Sequence, residues 1–317
     1  MPPAPTNHRM TAAEWGLLGA LAILWSGVFF LTKLALADMR PFTVVTLRLG
    51  IAALILHAAI RATGTRMPTS LRAWCAFAGM GALNNFIPFC LIAYGQTQIG
   101  SGLAAILNAT TPLFTVLLAQ FWTHDERLTR NRLGGVLLGV AGVVVMIGPG
   151  ALAGLTSNVA GQLAILGATV AYACAGIFGR RFRALPAMVT ATGQVTTGAL
   201  MVAPLALWFD HPWAQKLPGL TALAAITAAA VCCTALAYAL YFRILATAGA
   251  TNLLLVTLLM PIGALWLGIT LLHEHLHAAE VGGMVLIGLG LLAIDGRVLA
   301  LRKGRPKHAI VRVRDSR

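Results

Sequence analysis

Ten runs of about twenty apolar residues, parted by joints mostly under ten residues long, dominate this chain. They fall at 14–35, 42–60, 73–94, 102–122, 133–150, 159–178, 187–208, 219–242, 250–271 and 279–299. A hydrocarbon core of ~30 Å needs ~20 helical residues per crossing. With 58% hydrophobic and 10% charged residues, the chain is too apolar for a cytosolic domain or a disordered one. The runs do not alternate polar with apolar residues, as a membrane barrel would. The expectation is an all-α integral membrane protein with ten transmembrane helices, neighbouring helices forming antiparallel hairpins. Its 33 glycines suit close helix packing in lipid.

A net charge of +14 raises the question of nucleic acid. Placing the N-terminus in the cytoplasm puts nineteen of the 23 cations on that side and only Arg40 and Lys216 opposite. Lys33 and Arg48 fall within spans. This obeys the positive-inside rule and accounts for the charge without a nucleic-acid partner. It predicts a multi-pass inner (plasma) membrane protein with cytoplasmic tails at 1–13 and 298–317. The first run has one Arg before it, contains Trp25 and Lys33, and ends without a convincing A-x-A cleavage site, so it reads as an uncleaved span. The five cysteines sit in apolar runs without C-x-x-C spacing and read as small buried hydrophobes.

The chain also contains itself twice. LGGVLLGVAGVVVMI (133–147) matches VGGMVLIGLGLLAID (281–295). Glu126-Arg127-Leu128 matches Glu274-His275-Leu276. GSGLAAILNATTPLF (100–114) matches GATNLLLVTLLMPIG (249–263), placing Pro112 on Pro261. RLGIAAL (48–54) matches QVTTGAL (194–200), placing Arg48 on Gln194; Trp25 and Lys33 match Tyr172 and Arg180. The repeats, 14–150 and 159–297, hold five spans each, and an odd number inserts the second copy upside down. Inverted repeats characterise secondary transporters, whose substrate binds near the midplane while the halves rock.

The W-x7-K first span followed by Pro-Phe, the R-L-x-x-A-A-L second span and the P-L-F…D-E-R-L…G-x-x-L-x-x-x-G segment resemble EamA-type drug/metabolite transporters over roughly 14–297. The resemblance implies ten helices and export of amino acids or related small metabolites, as in YddG-like exporters of aromatic amino acids. The four-helix small multidrug relatives carry protons on a membrane-buried Glu in helix 1. Here Glu14 stands at the edge of the first span, and no acid lies mid-span.

Candidate site residues follow from chemistry inside a membrane. Arg48, six residues into its span, could clamp a carboxylate with paired N–H donors or be a structural arginine on backbone carbonyls. Trp25, Phe29 and Lys33 share one helix face, Lys33 being expected to snorkel outward. Tyr172, Asn84, Asn85, Tyr94, Gln194, Tyr238 and Tyr241 are candidate cavity residues. Each has a plainer reading as helix packing or interfacial belt. Asn108 and Asn252 have the same status. Pro112 and Pro261 could hinge a helix or bare a carbonyl to a cavity, or merely kink it. Spans 1, 3, 4, 6, 8 and 9 are the expected cavity walls.

Two other classes compete. His273-Glu274-x-x-His277 is a literal H-E-x-x-H, which on a helix could bind zinc for proteolysis, with Asp295 as a distant acid. A non-transporting membrane scaffold is the other. No Walker motif is present, no cofactor or metal is implied, and a monomer is expected.

Overall fold

The structure, a computed structural model, describes residues 10–122, 130–147, 157–182, 184–253 and 255–295. Among these every regular element is helical. Arg9, the Glu126-Arg127-Leu128 segment and the basic tail lie outside the described residues.

Six segments are long and apolar enough to cross a membrane. These are α1 (Ala12–Ala35), α2 (Pro41–Ala62), α3 (Leu71–Gln98), the pair α4 (Ser101–Asn108) and α5 (Thr111–Trp122), α7 (Ser157–Phe178), and α9 (Leu220–Thr247). Shorter apolar helices are α6 (Arg130–Ile147), α11 (Val256–Leu271) after the single turn α10 (Gly249–Leu253), and α12 (Ala278–Asp295). α8 (Ala187–Leu205) is rich in threonine. It buries Thr190, Thr192, Gln194 and Thr197 against its neighbours.

Local chemistry places the helix starts. Thr11 and Glu14 form a capping box on α1, Pro41 opens α2, and Ser70 caps α3. Carboxylates from distant elements cap other helices. Asp210 accepts from Thr43 N at 2.6 Å, Asp38 from Gly219 N at 2.9 Å, and Glu274 from Ser101 N at 2.6 Å and Gly102 N at 2.9 Å. Acids confined to span ends thus satisfy orphan backbone N–H groups and meet the positive end of the helix dipole.

Several expectations need correction. The fourth and ninth spans are broken helices. In the fourth, the break falls at Ala109-Thr110, so Pro112 sits in the first turn of α5, where its missing N–H costs little. Pro261 lies within α11, so the two prolines occupy different local structures. Cys233 is buried but Cys75 is exposed on the outside of the bundle. Lys33 does not snorkel: its Nζ donates to Gln96 O at 2.6 Å and Ile99 O at 2.9 Å, holding the carbonyls at the end of α3.

Irregular turns mark three helices. α3 takes a π turn over Ala82–Phe86, α9 over Val231–Leu236, and α8 ends in one over Ala206–Asp210.

Packing joins the two halves of the chain. α6 runs antiparallel to α12 at backbone contact: a methyl on Gly135 would stand 2.6 Å from Gly290 O, and one on Gly142 2.7 Å from Gly283 O. α2 packs on α8, α1 on α9 and α11, and α7 on α3, α4 and α5. Ser26 ties α1 to α11 by donating to Met260 O at 2.8 Å.

Candidate functional site

A group of polar side chains from within the spans gathers where α2, α3, α8 and α9 meet. Arg48 of α2 donates from Nε to Thr234 Oγ1 at 3.0 Å. Its guanidinium carbon lies 4.1 Å from the centre of the Phe89 ring, a cation–π arrangement. Tyr172, Cys233 and Tyr238 lie within electrostatic reach. Among the described residues Arg48 has no other hydrogen bond and no carboxylate partner.

The π turns explain how this cluster is built. A π turn inserts one residue and frees a backbone position, and such turns recur at functional sites. In α9 the turn aims Thr234 inward, where its hydroxyl donates to Ala229 O at 3.0 Å and accepts from Arg48. In α3 it presents Asn84 and Asn85 together. Asn84 Nδ2 donates to Gln194 Oε1 at 3.2 Å and to Tyr238 Oη at 3.1 Å; Asn85 Nδ2 reaches the same phenol at 3.3 Å. Asn85 is fully buried, yet among the described residues its Oδ1 accepts no hydrogen bond. An orphaned acceptor of this kind costs about 1–3 kcal/mol.

An aromatic run extends from the cluster. Tyr238 stacks on Phe242 at 6.1 Å, Tyr241 meets Phe242 edge-on at 5.1 Å, and Trp25 lies 5.7 Å from Tyr241. So Asn84, Asn85, Gln194 and Tyr238 are bonded into one cluster; Arg48, held by Thr234, and Tyr172 flank it within electrostatic reach, with Trp25 and Tyr241 alongside.

Other candidates stand apart. Phe29 is packed into the apolar core, and its carbonyl accepts from Gln96 Nε2 at 2.8 Å. Tyr94 is 46% exposed on the outside of α3 and has no ring contact with the cluster. Asn252 caps its own turn through Ala248 O, and Asn108 Oδ1 is buried without a partner. Thr234 and Phe89 were not singled out from sequence. Pro88, two residues past the π turn of α3, marks that helix as irregular; nothing in the Val231–Leu236 letters marks α9.

The H-E-x-x-H segment does not form a zinc helix. Residues 273–277 are non-helical, His273 has φ +53°, and Glu274 is committed to capping α4. Among the described residues no group of three or more His, Cys, Asp or Glu side chains could hold a metal ion. The Asp295 side chain lies outside the described residues.

A multi-pass helical membrane protein with a polar, aromatic-walled cluster held between helices is the class these features define. The sequence model of the EamA-like transporter family matches residues 14–148 and again 159–294, and the chain belongs to that family. It is 26% identical to Protein PecM of Dickeya dadantii over 90% of this chain and 93% of that protein. It is 25% identical to the uncharacterized inner membrane transporter YedA of Escherichia coli K12, over 69% and 70%. A probable terminal-alkyne amino-acid exporter of Streptantibioticus cattleyicolor is 24% identical over 93% and 97%. A solved crystal structure superposes with a TM-score of 0.66 at 21% identity, covering 92% of this chain and 100% of that one, which shows the shared fold.

Proposed function

We propose that this transporter exports small carboxylate-bearing metabolites, foremost aromatic or other hydrophobic amino acids, from the cytoplasm across the inner membrane. In this reading it has ten crossings in two inverted five-helix repeats, both termini lie in the cytoplasm, and the halves rock about the Arg48 cluster.

Three observations support the inverted layout. The family model matches twice. The α6–α12 contacts exchange with one another: the repeat alignment carries Gly135 onto Gly283 and Gly290 onto Gly142, so the pair Gly135–Gly290 becomes Gly283–Gly142. Equivalent helices that pack antiparallel are related by an axis across the helices, in the membrane plane. The π turns also correspond, because the register of 100–114 on 249–263 carries Ala82 onto Val231, Asn85 onto Thr234 and Phe89 onto Tyr238.

The substrate class rests on one observation: among the described residues the Arg48 guanidinium has no carboxylate partner. A charged side chain at the helix centre costs about 2.5–3.5 kcal/mol on the insertion scale, and among the described residues no carboxylate offsets it at Arg48. With Nε held by Thr234 and one face on Phe89, the Nη edge is left for a ligand carboxylate in the paired geometry. Asn85 Oδ1 offers an acceptor for an ammonium group, and the ring run from Tyr238 to Trp25 suits an apolar side chain. The exporter named for an amino acid among the relatives agrees with this class.

Reconstituted liposomes decide the matter. Wild-type protein should carry an aromatic amino acid but not the amine that lacks its carboxylate. Arg48→Gln should lower amino-acid flux at least tenfold while the protein still inserts. Equal flux of acid and amine, or unchanged flux in Arg48→Gln, removes Arg48 from the site.

A further inference from the structure

We infer that the cleft between the start of α3 and the end of α7 is a binding site for an anionic phospholipid of the cytoplasmic leaflet. The cleft encloses about 880 Å³ and is open on one side. Ser70, Arg72 and Arg181 supply its polar rim; Phe178, Phe182 and Leu185 are the large apolar residues of its floor. The Arg181 guanidinium lies 4.6 Å from the centre of the Phe178 ring, which orients it over that floor. Neither Arg72 nor Arg181 has a carboxylate partner among the described residues.

The shape of the chemistry selects the occupant. Two guanidinium groups that line one cleft without a carboxylate partner among the described residues attract a phosphate. A soluble phosphate would leave the aromatic floor wet, whereas a phospholipid brings an acyl chain to cover it. Beside the rim Leu71 is 79% exposed, and Cys75, which lines the cleft, is exposed as well. Exposed apolar side chains at the end of membrane-crossing helices belong against lipid. The level is that of the headgroups, because the cleft lies where α3 begins and α7 ends, among the cations that the charge bias puts on the cytoplasmic side. The floor is firm: Phe77 stacks on Phe182 at 5.6 Å and meets Trp74 edge-on at 5.8 Å.

The test uses the full chain in detergent, titrated with phosphatidylglycerol, phosphatidylcholine or inorganic phosphate while thermal stability is followed. Phosphatidylglycerol should bind about thirtyfold more tightly than phosphatidylcholine, at about a fivefold gain per arginine near an anionic surface. Phosphate should produce no shift. Arg72→Gln with Arg181→Gln should lose most of that preference, while Arg243→Gln, on α9, should keep it. If the double variant does not fold, a photoactivatable phosphatidylglycerol added to wild type should label segments 70–76 and 178–185. A preference undiminished in the double variant, a shift reproduced by phosphate, or labelling confined to other segments overturns the proposal.

Discussion

Arg48, in the first half of the chain, donates its Nε–H to Thr234 Oγ1, in the second half, across 3.0 Å. The threonine, inside the π turn of α9, in turn donates to Ala229 O, 3.0 Å away in the turn that precedes it. One hydroxyl thereby fixes an otherwise unpaired charge to an irregular backbone, and any relative motion of α2 and α9 must move the guanidinium.

Thr234→Val keeps the shape of the side chain and removes the hydroxyl. A hydrogen bond to a charged group is worth about 1.5–3 kcal/mol, so carboxylate binding should weaken about tenfold or more. Thr234→Ser should restore it. Binding isotherms for the three proteins, with expression and thermal stability alongside, separate positioning from folding. Equal weakening in the serine variant would point to packing instead.

At the α6–α12 contact a single methyl has nowhere to go. Gly135→Ala meets Gly290 O, and Gly283→Ala meets Gly142 O. Each should destabilise the detergent-solubilised protein by about 1–3 kcal/mol, the range for overpacking. Gly134→Ala, with open space at its Cβ position, should be nearly neutral. Thermal melts of the three variants check this.

Glu274 is a helix cap. Glu274→Ala should cost about 1–2 kcal/mol by baring Ser101 N and Gly102 N, and Lys33, within electrostatic reach of that carboxylate, loses an attraction. Glu274→Gln retains an acceptor and should cost less. Chelator treatment should change neither stability nor flux. A zinc-dependent activity lost with Glu274 would revive the protease reading.

Orientation is open to direct labelling. In a cysteine-free background, Asp38→Cys and Lys216→Cys should react with an impermeant thiol reagent added outside whole cells, and Arg66→Cys should not. The reverse pattern would invert the whole molecule in the membrane.

How far the sequence reaches can be judged from single residues. Where the runs fall on described residues they are helical, the fourth and ninth with a break, and the expected ends at 150 and 299 lie outside the described residues; burying backbone in lipid leaves a chain few alternatives. Arg48, Asn84, Asn85, Gln194 and Tyr238 were legible as candidates because polar groups in apolar spans need partners. Tyr94 was equally visible but turned outward, because helix rotation is set by packing and not by the letters of one span. Lys33 looked like a snorkelling cation, yet the end of α3 stood within its reach. The duplicated prolines suggested equal kinks; the breaks fell at Ala109-Thr110 in one half and ahead of Val256 in the other, leaving Pro261 inside a helix.

Hydrophobicity and charge bias alone are properties of composition along the chain. They determine that this protein is helical and lives in a bilayer, and its internal echoes supply the matching segments of two halves. Which polar groups meet is a matter of distances shorter than one helix diameter. Those depend on π turns that re-aim Asn85 and Thr234 and on glycines that let α6 and α12 touch. Only the packed tertiary structure settles them, because hydrogen bonds and guanidinium–ring contacts act over a few ångströms, between residues as far apart in sequence as Arg48 and Thr234.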